Sequence, residues 1–382
     1  MIKRFKSSKI VLSDGLFDGS VYVEDGVITE VTARTLPCDE TIDLGDKYLS
    51  PGFIDMHLHG GAGVDFGSCD SESAQKAARY HMSHGTTTLL PTLTASSFEA
   101  TVTALENLSP IVGASEDCPY IPGIHLEGPY FSVNQCGAQN IEFITAPKKD
   151  EYTAILGRFG DVISRWSYAP ERDENGEFCK TLKNAGVIPS AGHTDAMQRD
   201  METAFINGCE LVTHLYSCTS TVTRDKGFRR LGVIEYTFLN DEITAEIIAD
   251  GKHLPADLIK MIFKIKGRER VSLVTDALSI AGADIKSGDL NGVPFIVEDG
   301  VCKLSDRSAF AGSIATADVL VRTCVKEAGI SVVDSVYMAS AVPARLLSLK
   351  KGCIEKGFDA DFAVFDEDIR VSGVYIGGSL KG

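Results

Sequence analysis

The chain has 382 residues, of which 44% are hydrophobic and 24% are charged. This length exceeds a usual single core, so we expect one large barrel, alone or with a smaller appended domain. The net charge of -16 excludes generic binding to nucleic acid or to an anionic membrane, because both depend on broad positive fields.

The first residues and the cysteines indicate a cytoplasmic protein. The opening MIKRFKSSKIVLSDG lacks the apolar core and the small-residue cleavage site of a secretory signal. No window reaches the roughly 18 consecutive apolar residues that a membrane span needs. The 10 cysteines are scattered singly without a CxxC pair, which argues against zinc ribbons and a disulfide scaffold.

The two ends of the chain share one pattern. Residues 1–50 alternate apolar and polar residues between Asp-Gly turns, and residues 351–382 do the same. This alternation is typical of antiparallel hairpins. We expect one small β-sandwich domain built from 1–50 and 351–382, with residues 51–350 forming a second domain inserted between them.

Residues 51–350 repeat a short apolar run, a turn and an amphipathic stretch, which is the signature of βα units. Eight such runs predict an α/β fold, a (β/α)8 barrel. The runs are 53–57, 86–92, 120–128, 162–171, 187–194, 211–216, 244–250 and 271–277. Helices are predicted between them, for example over 71–85 and 254–267, and two later helices over 315–329 and 332–349 complete the outer ring. A hairpin-like segment, 288–313, follows the eighth run.

Ionisable residues stand where these predicted strands end, and the carboxyl ends of barrel strands carry the catalytic groups. They are His57, His59, Glu127, His193, His214 and Asp276. His57 and His59 share one face of their strand, because strand side chains alternate, and can chelate one ion. A lone histidine at a strand end is more often a hydrogen-bonded core residue. Six ionisable groups at one edge are costly to bury unless paired or metal-bound, so a site for Zn, Fe or a similar divalent metal is predicted.

One basic cluster stands out in this acidic chain. The segment TRDKGFRR, residues 223–230, contains Arg224, Lys226, Arg229 and Arg230. It is a candidate contact for an anionic substrate, and the alternative is a solvated loop.

Eight stretches along the chain resemble one known family: PGFIDMHLHG, GIHLEGPYF, AGHTDA, THLYS, IIADGKH, LVTDA, FAGS and GCIEKGFDADFAVFD. Together they resemble the N-acetylglucosamine-6-phosphate deacetylases of the amidohydrolase superfamily. HLEGP discriminates best, because many other amidohydrolases use a carboxylated lysine on the fourth strand, where this chain has SYAPE.

The resemblance implies roles for the strand-end residues. Glu127, His193 and His214 would bind the metal common to the family, and His57 and His59 would allow a second ion bridged by Glu127, giving one or two divalent ions per subunit. Asp276 would act as metal ligand and general base. His253 would contact the substrate and stabilise the oxyanion, and FAGS implies contacts from Phe310, Ala311 and Gly312. The family also implies a homodimer whose neighbouring subunit helps to close the site.

Three departures from the family concern the substrate. Gln139 stands where the family has a histidine that contacts the sugar phosphate ester. Ser217 and Cys218 replace an asparagine and an alanine near the phosphate. Direct counting puts Asp225 at the position of the phosphate-binding arginine, with Arg224 beside it, and only a guanidinium gives bidentate phosphate recognition.

The expected reaction is metal-dependent hydrolysis of N-acetylglucosamine-6-phosphate to glucosamine-6-phosphate and acetate. The alternative is an amidohydrolase that deacylates another N-acyl amino sugar, such as N-acetylgalactosamine-6-phosphate, or a small N-acyl amine. A catalytically inactive barrel would be expected to have lost a ligand or the base, and none is missing from the sequence.

Overall fold

The computed structural model describes residues 1–114 and 117–381. Its centre is a barrel of eight parallel strands in chain order, as predicted, and a bridge between Leu58 and Ala277 brings the first strand against the eighth. The barrel strands, in order, are Phe53–Leu58, Thr86–Leu93, Ile124–Glu127, Ile163–Tyr168, Ile188–Ala191, Leu211–Val212, Thr244–Ile247 and Val271–Leu273.

Helices follow the strands and pack their apolar faces on the barrel. They are Ser71–Met82, Phe98–Leu108, Lys149–Phe159, Glu177–Asn184, Gln198–Ile206, Val233–Leu239, Ala256–Lys266, Ala317–Lys326, Val332–Ala339 and Ala341–Leu346. Side-chain caps fix where some begin: Asp70 accepts from the N–H of Ser73, and Ser97 from that of Ala100. None of the helices in the described ranges is long and apolar enough to cross a membrane.

The helix predicted over 332–349 is wrong in one respect, because it is two helices. The first ends at Ala339 and the second begins at Ala341. Ser340 between them has a φ of -137°, outside the helical range. Pro343 has no N–H to donate to the carbonyl four residues earlier, so a continuous helix would lose a hydrogen bond there.

The two termini meet in one mixed sheet with its own apolar core. Its strands are Lys3–Leu12, Gly15–Glu24, Val27–Thr32, Glu40–Asp43, Tyr48–Pro51, Phe362–Phe365, Val371–Ile376 and Ser379–Leu380. Tyr48–Pro51 pairs with Phe362–Phe365 and so joins the two ends of the chain. This confirms a β domain made from both termini, and the boundaries at residues 50 and 351 stay a prediction.

Three smaller sheets lie in the loops that follow barrel strands. The hairpin-like segment predicted over 288–313 is a four-stranded antiparallel sheet. Its strands are Ser287–Leu290, Val293–Glu298, Val301–Leu304 and Phe310–Gly312. The basic cluster forms an exposed hairpin, Thr223–Asp225 with Phe228–Arg230, after the sixth strand. A short hairpin, Gly60–Gly61 with Val64–Asp65, follows the first strand.

Candidate active site

The six predicted strand-end residues meet in two adjoining groups. One consists of His57, His59 and Asp276, and the other of Glu127, His193 and His214. Within each group the candidate ligand atoms lie within 4.8 Å of one another. The sequence placed these residues at one edge of the barrel, and the structure brings them to one point.

Glu127 lies between the two groups. Its Oε1 is 3.2 Å from Nε2 of His193 and 3.1 Å from Nε2 of His214. The same oxygen is 3.2 Å from Nε2 of His57, and Oε2 is 3.2 Å from Nε2 of His59. One carboxylate therefore faces four imidazoles, two from each strand-end group.

Three of the rings are oriented by hydrogen bonds on their outer nitrogen. Nδ1 of His57 lies 3.1 Å from Glu246, Nδ1 of His193 lies 2.9 Å from the carbonyl of Gln135, and Nδ1 of His214 lies 3.0 Å from the carbonyl of Ser217. Each partner is an acceptor, so each Nδ1 donates its proton. Nε2 then offers a lone pair to the site, as metal-binding histidines require.

The inner nitrogens fit a cation. Nε2 of His57 is buried without a hydrogen-bond partner in the described structure. Nε2 of His193 and Nε2 of His214 lie only 3.1 Å apart, with both lone pairs directed inward. Imidazole nitrogens with carboxylate oxygens form a donor set that suits Zn or Fe(II), so the residues present fit a divalent ion.

The two carboxylates of the site, Glu127 and Asp276, favour positive charge on the groups around them. Burial lowers the pKa of the His57 imidazole, but the carboxylates of Glu127 and Asp276 outweigh it and raise the pKa to about 9. Burial also lowers the pKa of His59, but hydrogen bonds to these carboxylates outweigh it and raise the pKa to about 10. Burial raises the pKa of Glu127, yet the imidazoles of His57 and His193 hold it well below its usual range. A bound cation would meet the same demand for positive charge.

The backbone is strained at three of these residues. His193, His214 and Asp276 have φ values of 47°, 28° and 49°, in the left-handed region that residues other than glycine rarely adopt. Hydrogen bonds hold Asp276 in place: its N–H donates to the carbonyl of His57 at 2.8 Å, and its carbonyl accepts from Ser313 at 3.0 Å. Such outliers gather at functional sites, where the surrounding structure supports the strain.

A cavity of about 500 Å³ opens above the two groups. Its walls come from loops after the barrel strands and from the four-stranded sheet. It includes seven of the eight predicted substrate contacts, namely Gln139, Ser217, Cys218, His253, Phe310, Ala311 and Gly312. A volume of this size suits a ligand as large as a sugar.

The sequence matches the amidohydrolase family model over residues 48–381. It is 30% identical to the N-acetylglucosamine-6-phosphate deacetylase of Lysinibacillus sphaericus, across 94% of this chain and 92% of that protein. It is 31% identical to the human protein of that name, across 90% of this chain and 85% of that one.

Solved structures agree. A mutant N-acetyl-D-glucosamine-6-phosphate deacetylase from Mycobacterium smegmatis, in complex with N-acetyl-D-glucosamine-6-phosphate, superposes with a TM-score of 0.92. It shares 28% identity and covers 100% of this chain and 99% of its own. The Pasteurella multocida deacetylase also gives a TM-score of 0.92 and 28% identity, with 100% of both chains covered.

The chain belongs to the N-acetylglucosamine-6-phosphate deacetylase family of amidohydrolases. It is therefore a hydrolase that acts on an amide bond. None of the described residues that line its cavity is a lysine or an arginine. A phosphate would therefore meet no fixed positive charge from this part of one chain.

Gln139 lies beside Glu127. By the resemblance noted above, it replaces a histidine of the family. Its Nε2 donates to Oε2 of Glu127 at 2.7 Å, and its Oε1 accepts from the N–H of Ala95 at 2.8 Å. These two bonds fix which end of the amide faces Glu127. The side chain therefore supports the candidate metal centre as well as lining the cavity.

His253 and Phe310 form one wall of the deacetylase cavity. Nδ1 of His253 lies 2.8 Å from a carboxylate oxygen of Asp250. The rings of His253 and Phe310 stand edge to face, with centroids 5.0 Å apart. The ring is thereby held with Nε2 available for a substrate.

Arg224 is the predicted substrate contact that lies outside the cavity of its own chain. It belongs to the exposed hairpin after the sixth strand, paired across it with Arg229. Phe228 at the turn is 70% exposed. The structure of one chain does not bring this hairpin to the candidate metal centre.

Sequence reasoning missed two buried charges of the barrel interior, Arg165 and Glu246. Both are fully buried, on the fourth and seventh strands. The available signal was a charged residue inside each of two apolar runs, VISRW and TAEII. The buried ring of His125 stands edge to face against His57, and its nitrogens lie 3.1 Å from Oγ1 of Thr92 and 2.7 Å from Oγ of Ser167.

Proposed function

We propose that this protein removes the acetyl group of N-acetylglucosamine-6-phosphate. Water adds to the amide carbonyl, the C–N bond breaks, and the products are acetate and glucosamine-6-phosphate. The observation that carries the proposal is the pair of ligand groups that share Glu127 at the floor of a sugar-sized cavity. The identity of the substrate is inferred from the family relatives.

The proposed metal ligands are His57, His59, Glu127, His193, His214 and Asp276. Glu127 would be shared by two ions, of which Zn and Fe suit the donor set. A divalent ion bound there lowers the pKa of water and polarises an amide carbonyl. The buried rings are already oriented for this purpose by Glu246 and by two backbone carbonyls.

Asp276 is the proposed general base. Its carboxylate lines the cavity, with Oδ1 3.2 Å from Nε2 of His59 and 3.4 Å from Nε2 of His57. Burial raises its pKa, but the nearby imidazoles lower it overall, so the carboxylate is ionised and can accept a proton. It would take the proton of the attacking water and deliver it to the nitrogen of the leaving amine.

His253 is the proposed contact to the reacting end of the sugar. The carboxylate of Asp250 accepts a hydrogen bond from Nδ1 and fixes the orientation of the ring in the cavity wall. Phe310, Ala311 and Gly312 would flank the sugar beside it. In this position His253 can hold a hydroxyl of the sugar or stabilise charge on the carbonyl oxygen.

A second copy of the chain is the proposed source of the phosphate contact. Arg224 lies on an exposed hairpin away from its own cavity, and the described lining residues include no lysine or arginine. A homodimer in which this hairpin reaches the neighbour's cavity would supply the guanidinium. The ten cysteines, scattered singly without a CxxC pair, fit the further proposal of a cytoplasmic location.

The decisive experiment is acetate release by metal-loaded protein, with metal content measured on the same sample. N-acetylglucosamine-6-phosphate is compared with unphosphorylated N-acetylglucosamine and with N-acetylgalactosamine-6-phosphate. We expect a strong preference for the first. No turnover of any of the three sugars by protein that holds its metal would refute the proposed substrate.

The second candidate is deacylation of an uncharged N-acyl amino sugar or a small N-acyl amine. Two carboxylates outside the ligand groups, Asp65 and Asp289, line the cavity, where no lysine or arginine stands among the described residues. These charges favour a neutral or cationic substrate over a phosphate ester. Faster turnover of unphosphorylated N-acetylglucosamine would select this candidate.

Replacing Arg224 with alanine tests the phosphate contact. We expect KM for N-acetylglucosamine-6-phosphate to rise by about 10-fold or more, because a charge-assisted hydrogen bond is lost. KM for the unphosphorylated sugar should stay the same. The matched control is Arg158→Ala, an exposed arginine on the helix Lys149–Phe159. Equal changes of KM for both sugars would clear Arg224 of this role.

A further inference from the structure

Two charged residues lie inside the barrel, behind the proposed ligands. Arg165 and Glu246 both have 0% exposure, and Nη1 of the guanidinium contacts Oε2 of the carboxylate. The guanidinium is also fixed elsewhere: Nε donates to Ser190 at 3.0 Å and Nη2 donates to Thr213 at 2.9 Å. A buried carboxylate is costly unless it is paired and hydrogen-bonded. The ion pair with Arg165 therefore offsets the cost of burying Glu246 and fixes the orientation of its carboxylate.

The other carboxylate oxygen of Glu246 faces a proposed ligand. Oε1 lies 3.1 Å from Nδ1 of His57 and accepts from the backbone N–H of His214 at 3.2 Å. An ionised carboxylate has no proton to give, so Nδ1 of His57 must be the donor. Nε2 of His57 is left as a lone pair, buried without a hydrogen-bond partner and 3.4 Å from Asp276.

This partner distinguishes His57 from two other proposed ligands. His193 and His214 donate from Nδ1 to neutral backbone carbonyls. A carboxylate acceptor makes an imidazole more basic toward a metal than a carbonyl does. The ion pair therefore acts on one of the two ligand groups more than on the other.

We propose that the ion pair of Arg165 and Glu246 positions His57 and determines whether the site of His57, His59 and Asp276 holds a metal ion. The site of Glu127, His193 and His214 depends on it little. Arg165 and Glu246 are positioning residues, because they act through His57 and do not touch the substrate. The inference rests on the two-ion form of the proposed function.

Replacing Glu246 with glutamine should reverse the hydrogen bond without changing the shape of the side chain. The amide oxygen can satisfy either Arg165 or the N–H of His214, and the charged guanidinium is the stronger donor, so the oxygen turns toward Arg165 and the NH2 group faces Nδ1 of His57. A donor at that point favours the proton on Nε2, where it blocks metal binding. In the double variant with Arg165→Met, the amide is free to turn its oxygen back to Nδ1.

The test is the number of zinc ions per chain. Wild type and variants are stripped with a chelator, titrated with Zn²⁺, separated from free metal and assayed by mass spectrometry, with thermal unfolding recorded alongside. We expect two ions for wild type and one tightly bound ion for Glu246→Gln, with affinity for the second ion lowered by about 10- to 100-fold. The double variant should regain the second ion. Glu269→Gln is the control, since it breaks another carboxylate–guanidinium pair, with Arg345 at 3.0 Å near the surface.

Several results would overturn the inference. They are a single ion in wild type at saturating Zn²⁺, unchanged affinity in Glu246→Gln, loss of both ions, or no recovery in the double variant. If Glu246→Gln does not fold, Glu246→Asp is the alternative, because it keeps the charge but moves it away from His57. Unchanged affinity of that variant for the second ion would also contradict the inference. The expected zinc pattern without turnover of N-acetylglucosamine-6-phosphate would support the inference while refuting the proposed substrate.

Discussion

Replacing Asp276 with asparagine is expected to lower kcat for N-acetylglucosamine-6-phosphate by about 10²- to 10⁴-fold. The amide keeps the size of the side chain and one oxygen, but it cannot take a proton from water or deliver one to the leaving amine. Glu127, His193 and His214 are untouched, so this variant should still bind metal. Acetate release under saturating substrate and elemental analysis of the same sample measure both effects.

The control for this variant is Asp284→Asn. Asp284 is an exposed aspartate that follows the eighth strand and pairs with Lys286 at 3.1 Å. It should keep the kcat of the wild type. Full turnover by Asp276→Asn would remove the general-base assignment, and a loss of all metal would show instead that Asp276 acts mainly as a ligand.

Replacing His193 with alanine is expected to remove the ion of the Glu127 group and with it most of the activity. Nε2 of His193 lies 3.2 Å from Glu127, and Nδ1 is anchored on the carbonyl of Gln135. Changing a residue that merely orients a ligand typically costs 10- to 100-fold in metal affinity, so losing a ligand should cost at least about 100-fold. Metal content after gel filtration is the primary measurement, with acetate release as the second.

His84→Ala is the matched control for the histidine variant. His84 is partly exposed, pairs with Asp318 at 3.3 Å and lies outside both ligand groups. It should bind as much metal as the wild type. If His193→Ala also kept its full metal content, the ligand set proposed here would be wrong.

The barrel could be predicted because its signals are local. Each strand is a short apolar run bounded by turns, and the chemistry of an α/β barrel lies at the carboxyl ends of its strands. His57, Glu127 and Asp276 could therefore be selected by position alone. The break at Ser340 was missed because a helical apolar pattern continues across it, although Pro343 was a local warning.

Contacts between distant parts of the chain could not be predicted in the same way. Arg165 and Glu246 are 81 residues apart and meet only because the fourth and seventh strands face one barrel interior. Gln139 reaches Glu127 from a loop whose path the sequence does not state. In both cases the partner is chosen by side-chain geometry in three dimensions.

The sequence by itself determined the fold class, the ligand types and the family, because periodicity, residue chemistry and motif spacing are written along the chain. Tertiary structure brought the two candidate ligand groups together around Glu127 and decided which nitrogen of each oriented histidine faces them. It also placed Arg224 outside its own cavity. These outcomes depend on ring orientation, hydrogen-bond acceptors and loop paths, which are fixed only when distant segments pack together.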